Sequence, residues 1–183
     1  MNFVEPIRDP NMIEAILKHL KEQNERDYIM FLVGIYSGLR ISDILQLQVK
    51  HIHDKDIRIR EKKTGKQRKI ALNRRLRGPL KEYIEGKDEW DYLFKSREGF
   101  NKPIQRNRAY RIIKDLENYF RMDAVGTHTL RKTFGYHYYQ ATKDVATLQK
   151  IFNHSHPNVT LHYIGIIQDD IDTAMRDFTF TYD

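Results

Sequence analysis

The sequence predicts a mainly α (α+β) domain, a bundle of helices carrying one small antiparallel β-sheet. Three observations carry this expectation. Apolar residues recur at helical spacing through most of the chain, beginning with Met12, Ile13, Ile16, Leu17 and Leu20. The period switches to two only around 57–72, where Ile57 and Ile59 alternate with Arg58 and Arg60. At 183 residues, 40% hydrophobic and 31% charged, the chain is long enough for one real core but short for two domains.

Taken in order, the elements begin with an amphipathic helix over 11–22, with Asp9 or Asn11 as its cap and Pro10 beside it. Residues 27–36 are apolar all round, which marks a helix enclosed by its neighbours. Ser37-Gly38 punctuates it, and 39–47 predicts another packed helix starting near Arg40. Two helices about a glycine turn also admit a helix-turn-helix with 41–49 as reader, but the first helix is too apolar to lie across a DNA backbone. Residues 57–72 fold back as a hairpin, with Lys63 and Lys66 near its tip. Residues 74–85 are helical, with Leu76, Leu80, Tyr83 and Ile84 inward and Pro79 tolerable only in a first turn.

Residues 90–94 read as a short buried extended piece and 99–103 as loop. An amphipathic helix over 104–120 turns Ile112, Ile113, Leu116, Tyr119 and Phe120 inward and a basic face outward. Helices follow from about 128 to 140 and over 144–152, the latter capped by Asp144. A short helix after Pro157 carries Tyr163 and stops before Gly165. No repeat, low-complexity tract or long linker divides residues 1–183, which read as a single domain.

Composition excludes several classes of function. Zero cysteines rule out a disulfide scaffold and thiolate chemistry, and fit a reducing cytoplasm. No apolar run approaches ~18 residues and no leader pattern opens the chain, so membrane and secretory readings fail. A formal net charge of +7 favours a polyanionic partner. Ten of the cations (Arg58 through Arg77) crowd one stretch, and Lys102, Arg106, Arg108, Arg111 and Lys114 form a second. Lysines at a hairpin tip either guard an exposed edge or deliver a charge to a phosphate or a leaving oxygen.

The chemistry concentrates late in the chain. T-H-T-L-R-K-T-F-G-Y-H at 127–137 places His128 and Arg131 at i and i+3, on one helical face. I-F-N-H-S-H-P-N-V-T-L-H-Y-I-G at 151–165 adds His154 and Tyr163. An aromatic hydroxyl, an arginine and two imidazoles suit attack on a phosphate ester by tyrosine. Arg40, after a glycine break, has a simple reading as a core-edge arginine paired with Asp43 at i+3. His51-x-His53 and His154-x-His156 lack the cysteine or carboxylate complement of a zinc site, so no metal is expected.

The full order, S-G-L-R-I-S-D at 37–43, K-T-G-K at 63–66, H-T-L-R at 128–131, N-H-S at 153–155 and T-L-H-Y at 160–163, resembles the catalytic domain of the tyrosine recombinases, or phage-type integrases. The resemblance covers about residues 10–170. It implies DNA cleavage and rejoining through a 3′-phosphotyrosyl link, which conserves the phosphodiester's energy and needs no cofactor. It implies Tyr163 as nucleophile, Arg40 and Arg131 on the non-bridging oxygens, and Lys63 as proton donor to the leaving 5′ oxygen. It implies proton movement or phosphate contact by His128, donation to a phosphate oxygen by His154, and a supporting role for Asp43. Lys66, Arg68, Arg106 and Arg108 are the expected DNA-binding residues on double-stranded DNA. Asn153 stands where the family most often has glycine. Barely ten residues precede the first helix, so no N-terminal core-binding domain is expected, and affinity for DNA should depend strongly on salt. The tail (Ile171, Ala174, Met175, Phe178, Phe180) implies self-association on a neighbouring protomer. The alternative is a non-catalytic DNA-binding regulator on the same scaffold.

Overall fold

A computed structural model describes residues 4–179. In chain order they form α1 (Pro10–Gln23), α2 (Glu25–Ser37), α3 (Ile41–Ile44), β1 (Asp56–Arg60), β2 (Gln67–Ala71), α4 (Arg74–Ile84), α5 (Arg106–Phe120), α6 (Thr129–Thr142), α7 (Val145–Phe152), α8 (Pro157–Tyr163) and α9 (Ile166–Asp177). The fold class is the expected one. Phe180 of the expected tail lies outside the described residues. Among the described residues no helix is long and apolar enough to cross a membrane.

Local chemistry sets most boundaries. Asp9 caps α1 by accepting from the Asn11 amide at 2.8 Å, Asn73 caps α4 through the Leu76 amide, and Asp144 caps α7 through the Thr147 amide. Gly38 ends α2 in the left-handed region at φ 64°. The hairpin pairs antiparallel, Ile57 opposite Ile70 and Arg60 opposite Gln67, so Ile57 is fully buried while Arg58 and Arg60 face out.

Four expectations are corrected. The helix expected over 39–47 is a single turn, α3, because Gln48 is drawn into a bridge with Tyr92 and the Leu47 carbonyl accepts from Leu93. This removes the helix-turn-helix alternative, since the supposed reader is one turn with Ile41, Asp43 and Ile44 buried. Pro79 sits inside α4 rather than in its first turn. Trp90 is 55% exposed beneath the Lys50 ammonium, and only Leu93 and Phe94 of that stretch are buried. Tyr119 points outward and stacks on His19 at 4.2 Å, because Ile112, Ile113 and Leu116 already fill the inner face of α5.

Two apolar clusters result. The larger gathers α1, α2, α3, β1, α4 and α5; the smaller gathers Leu148, Phe152, Ile164 and Ile166 with the rings of α6. Helix α6 is the seam, since Leu130 belongs to the first and Phe134 and Tyr138 pack on the second. Its approach to α2 is close: a Cβ on Gly34 would sit 2.6 Å from Leu130 Cδ1. The arginine after Leu130 therefore enters the seam itself.

Candidate active site

Arg131 is 4% exposed and spans the two clusters. Its Nη1 donates to the Gly38 carbonyl at 2.6 Å and its Nη2 to the Phe152 carbonyl at 3.1 Å, while the guanidinium lies over the Phe152 ring. Burial pulls it down to about 10, so it stays a cation at neutral pH. Two carbonyls occupy two of its five N–H donors, and the guanidinium also acts on the Tyr163 hydroxyl.

Tyr163, at the end of α8, lies against this group. Its hydroxyl is 3.2 Å from His128 Nδ1, and its ring meets those of His154 and Phe152 edge-on. Burial pushes the phenol above its ordinary value, and the nearby Arg131 and Arg40 charges only partly offset this. His128 is held below the usual imidazole range by burial and by the Arg106, Arg131, Lys132 and Arg40 charges. His154 is lowered by burial and by Arg131 and Arg40. Both rings are therefore neutral at pH 7, and His154 Nδ1 is paired with the Thr160 hydroxyl at 3.0 Å. The phenol stands beside a neutral imidazole.

Arg40, N-cap of α3, does not pair with Asp43 as the spacing suggested. It reaches Glu61 Oε2 at 3.3 Å, while Asp43 Oδ1 accepts from the Lys62 amide at 2.9 Å. Asp43 thus supports the 61–66 loop, and its Oδ2 is buried with no hydrogen-bond partner among the described residues. The structure brings Arg40, His128, Arg131, His154 and Tyr163 to one neighbourhood. Lys63 lies exposed on the loop between β1 and β2, and among the described residues no hydrogen bond joins it to them.

Of the expected DNA-binding residues, Lys66 donates to Asn153 Oδ1 at 2.7 Å and Arg68 to the Ile151 carbonyl at 2.9 Å, both tying the hairpin to the turn before His154. Arg106 and Arg108 are exposed in the first turn of α5. Two of the histidines considered for zinc are caps: His51 Nδ1 accepts from the Gln48 amide and His156 Nδ1 from the Asn158 amide.

Sequence reasoning missed Glu61, Thr160 and Lys132. Glu61 had a signal, as the lone acid among the ten cations of 58–77. Thr160 and Lys132 had none beyond proximity to Tyr163 and Arg131. Lys132 is buried, with its ammonium 5.2 Å from the Tyr163 ring centre.

A helical domain that folds two arginines, two neutral histidines and a half-buried tyrosine onto one seam matches a known pattern. The model of the phage integrase family matches residues 8–168, and the chain belongs to that family, the tyrosine recombinases. Probable integrase/recombinase YoeC of Bacillus subtilis (strain 168) is 48% identical over 179 residues, 97% of this chain and 98% of that protein. A tyrosine recombinase of Pseudothermotoga lettingae is 28% identical over 188 residues, 92% of this chain and 63% of its own length. Among solved structures, XerA recombinase matches with a TM-score of 0.74 at 20% identity, over 96% of this chain and 67% of that one. The catalytic domain of bacteriophage HP1 integrase matches at 0.61 and 16% identity, over 95% of each. These structures establish the fold as that of the tyrosine recombinase catalytic domain.

Proposed function

We propose that this protein is a site-specific DNA recombinase that breaks and rejoins strands through Tyr163. The observation that carries the reading is the 3.2 Å contact between the Tyr163 hydroxyl and His128 Nδ1, beside the buried Arg131. Tyr163 attacks the phosphorus and its proton passes to His128. The bond to the 5′ oxygen breaks, and Lys63 protonates that oxygen. Arg40 and Arg131 hold the non-bridging oxygens, where a planar guanidinium matches phosphate and a lost donor costs ~3 kcal/mol of transition-state stabilisation. With Thr160 donating to Nδ1, His154 carries its proton on Nε2 and donates it to a phosphate oxygen. Asp43 holds the Lys63 loop in place. Attack by a new 5′-hydroxyl on the phosphotyrosine rejoins the strand, and no metal or nucleotide enters.

Double-stranded DNA is the partner this reading requires. A solved XerH site-specific recombinase with a TM-score of 0.72 to this chain is bound to its palindromic difH substrate after cleavage. Arg106, whose charge acts on His128, and Arg108 are exposed cations in the first turn of α5 available for the same purpose. Self-association on DNA would use α9, whose Ile171 and Met175 are 50% and 69% exposed.

The test is a library of duplexes with a randomised core and a nick that traps the cleaved strand. A recombinase forms a denaturant-resistant protein–DNA adduct that survives chelator and is absent from Tyr163→Phe. A regulator on this scaffold gives only salt-sensitive complexes, and that result overturns the reading.

A further inference from the structure

Glu61 is out of place by ordinary electrostatic reasoning. A site that must receive a phosphate gains nothing from a fixed negative charge, yet Glu61 is 2% exposed and lies against Arg40. Burying a carboxylate is costly unless every oxygen is paired, and both are. Oε2 accepts from the Thr64 hydroxyl at 2.7 Å and from Arg40 Nη1 at 3.3 Å, and Oε1 faces Arg68 Nε at 3.8 Å. Its backbone closes the same loop, the amide donating to the Lys66 carbonyl and the carbonyl accepting from Gly65. Arg68 in turn donates to the Ile151 carbonyl, just ahead of His154. One carboxylate therefore stands where three segments meet: the start of α3, the loop carrying Lys63, and the turn before His154.

We propose that Glu61 is a positioning residue, which fixes the Arg40 guanidinium and the Lys63 loop relative to each other before DNA arrives. The proposal rests on the Tyr163 reading. Burial alone would push the Glu61 carboxyl up, but the Thr64 hydrogen bond and the Arg68, Arg40 and Arg131 charges hold it below the usual carboxylate range, so it is an anion at working pH. A carboxylate on one edge of a guanidinium leaves the other donors oriented rather than mobile. The cost is weaker ground-state attraction for phosphate, which a residue acting on the transition state can bear.

This predicts a split between affinity and rate. Glu61→Gln keeps the volume and an acceptor for Thr64 but removes the charge that holds Arg40. On a trapped duplex recovered from the adduct library, its adduct rate should fall at least tenfold. Its affinity for that duplex should hold or improve, and its thermal midpoint should stay close to that of the parent protein. In an Arg40→Lys background the same change should have little further effect on rate, because Glu61 acts through Arg40. Loss of rate, affinity and thermal midpoint together, or an undiminished rate loss in the Arg40→Lys background, identifies a structural acid and overturns the proposal. An unchanged rate in Glu61→Gln overturns it while leaving the Tyr163 reading intact. Absence of any adduct from the parent protein overturns both.

Discussion

The Arg131 guanidinium reaches the Gly38 carbonyl at 2.6 Å across 93 positions of sequence. Gly38 is two residues before Arg40, so the arginine of α6 fixes the backbone that presents the arginine of α3. The same side chain holds the Phe152 carbonyl, two residues before His154. Arg131 thus sets the spacing of the site as well as supplying charge to it.

Arg131→Lys keeps the charge and loses the fork. A single ammonium lacks the planar fork whose two nitrogens each meet one carbonyl, and a buried acceptor left unpaired costs about 1–3 kcal/mol. For a domain of this size that lowers the thermal midpoint by roughly 3–10 °C. Adduct formation should fall far more than DNA binding. A midpoint equal to the parent's in a thermal melt would show that the two carbonyl bonds contribute nothing to the fold.

His128 governs a pH dependence whose sign is fixed by the charges around it. Burial and neighbouring cations lower its affinity for a proton, so it is neutral at pH 7 and, on the proposed reading, takes the Tyr163 proton. As pH falls through its depressed value the ring protonates and ceases to accept. Adduct rate measured from about pH 5 to 8 should be level at the neutral end and drop on the acid side, below the ordinary imidazole midpoint. His128→Asn should lower the rate by about 10²–10⁴ and abolish that acid limb. The stability carried by the depressed His128 and His154 follows the same sign: present above their ordinary value and lost as pH falls through the folded-state one.

How the site was legible follows from what each residue does. Helical spacing paired only His128 with Arg131; Tyr163 and His154, which stand at the end of α8 and in the turn between α7 and α8, could be read because their motifs follow one another in the order of the tyrosine recombinases. Arg40 was legible as a cation in an apolar setting, but its partner was not, since Glu61 lies across a loop closure that sequence does not encode. The hairpin and α5 followed from alternation and amphipathicity. Helix α3 did not, because a bridge to Tyr92, 44 positions from Gln48, stops it after one turn. Tyr119 misled for a related reason: periodicity marks a face, but the width of the groove that receives it decides how many rings go in.

Gly135 is a packing requirement invisible in the sequence. It lies on α6 where the helix meets the smaller cluster, and an added Cβ would stand 2.6 Å from Ile164 Cγ2 and 2.7 Å from Phe152 Cζ. Neither neighbour has room to retreat, as both are fully buried. Gly135→Ala should destabilise by about 1–3 kcal/mol through overpacking. The strain falls on the residue after Tyr163, so adduct rate should drop beyond what the stability loss explains, at temperatures where the variant is folded. Wild-type stability in a denaturant melt would mean that α8 can shift outward freely.

On the proposed reading, Arg106 links DNA binding to the chemistry. It is exposed at the start of α5, where a phosphate can replace counterions around it, and after burial it is the largest influence keeping His128 neutral. Arg106→Ala removes one cation from the binding surface, so the slope of log affinity against log salt should shrink by about 0.9. The same change relieves His128 of a repelling charge, and its proton affinity rises toward the ordinary imidazole value. The acid limb of adduct formation should therefore move to higher pH, with the neutral-side rate at saturating DNA little changed. Arg108→Ala should reduce the salt slope alike without moving the limb, since Arg108 is not among the groups acting on His128. An identical pH profile in Arg106→Ala would sever the electrostatic link between α5 and the tyrosine's base, even if the salt slope changed as expected.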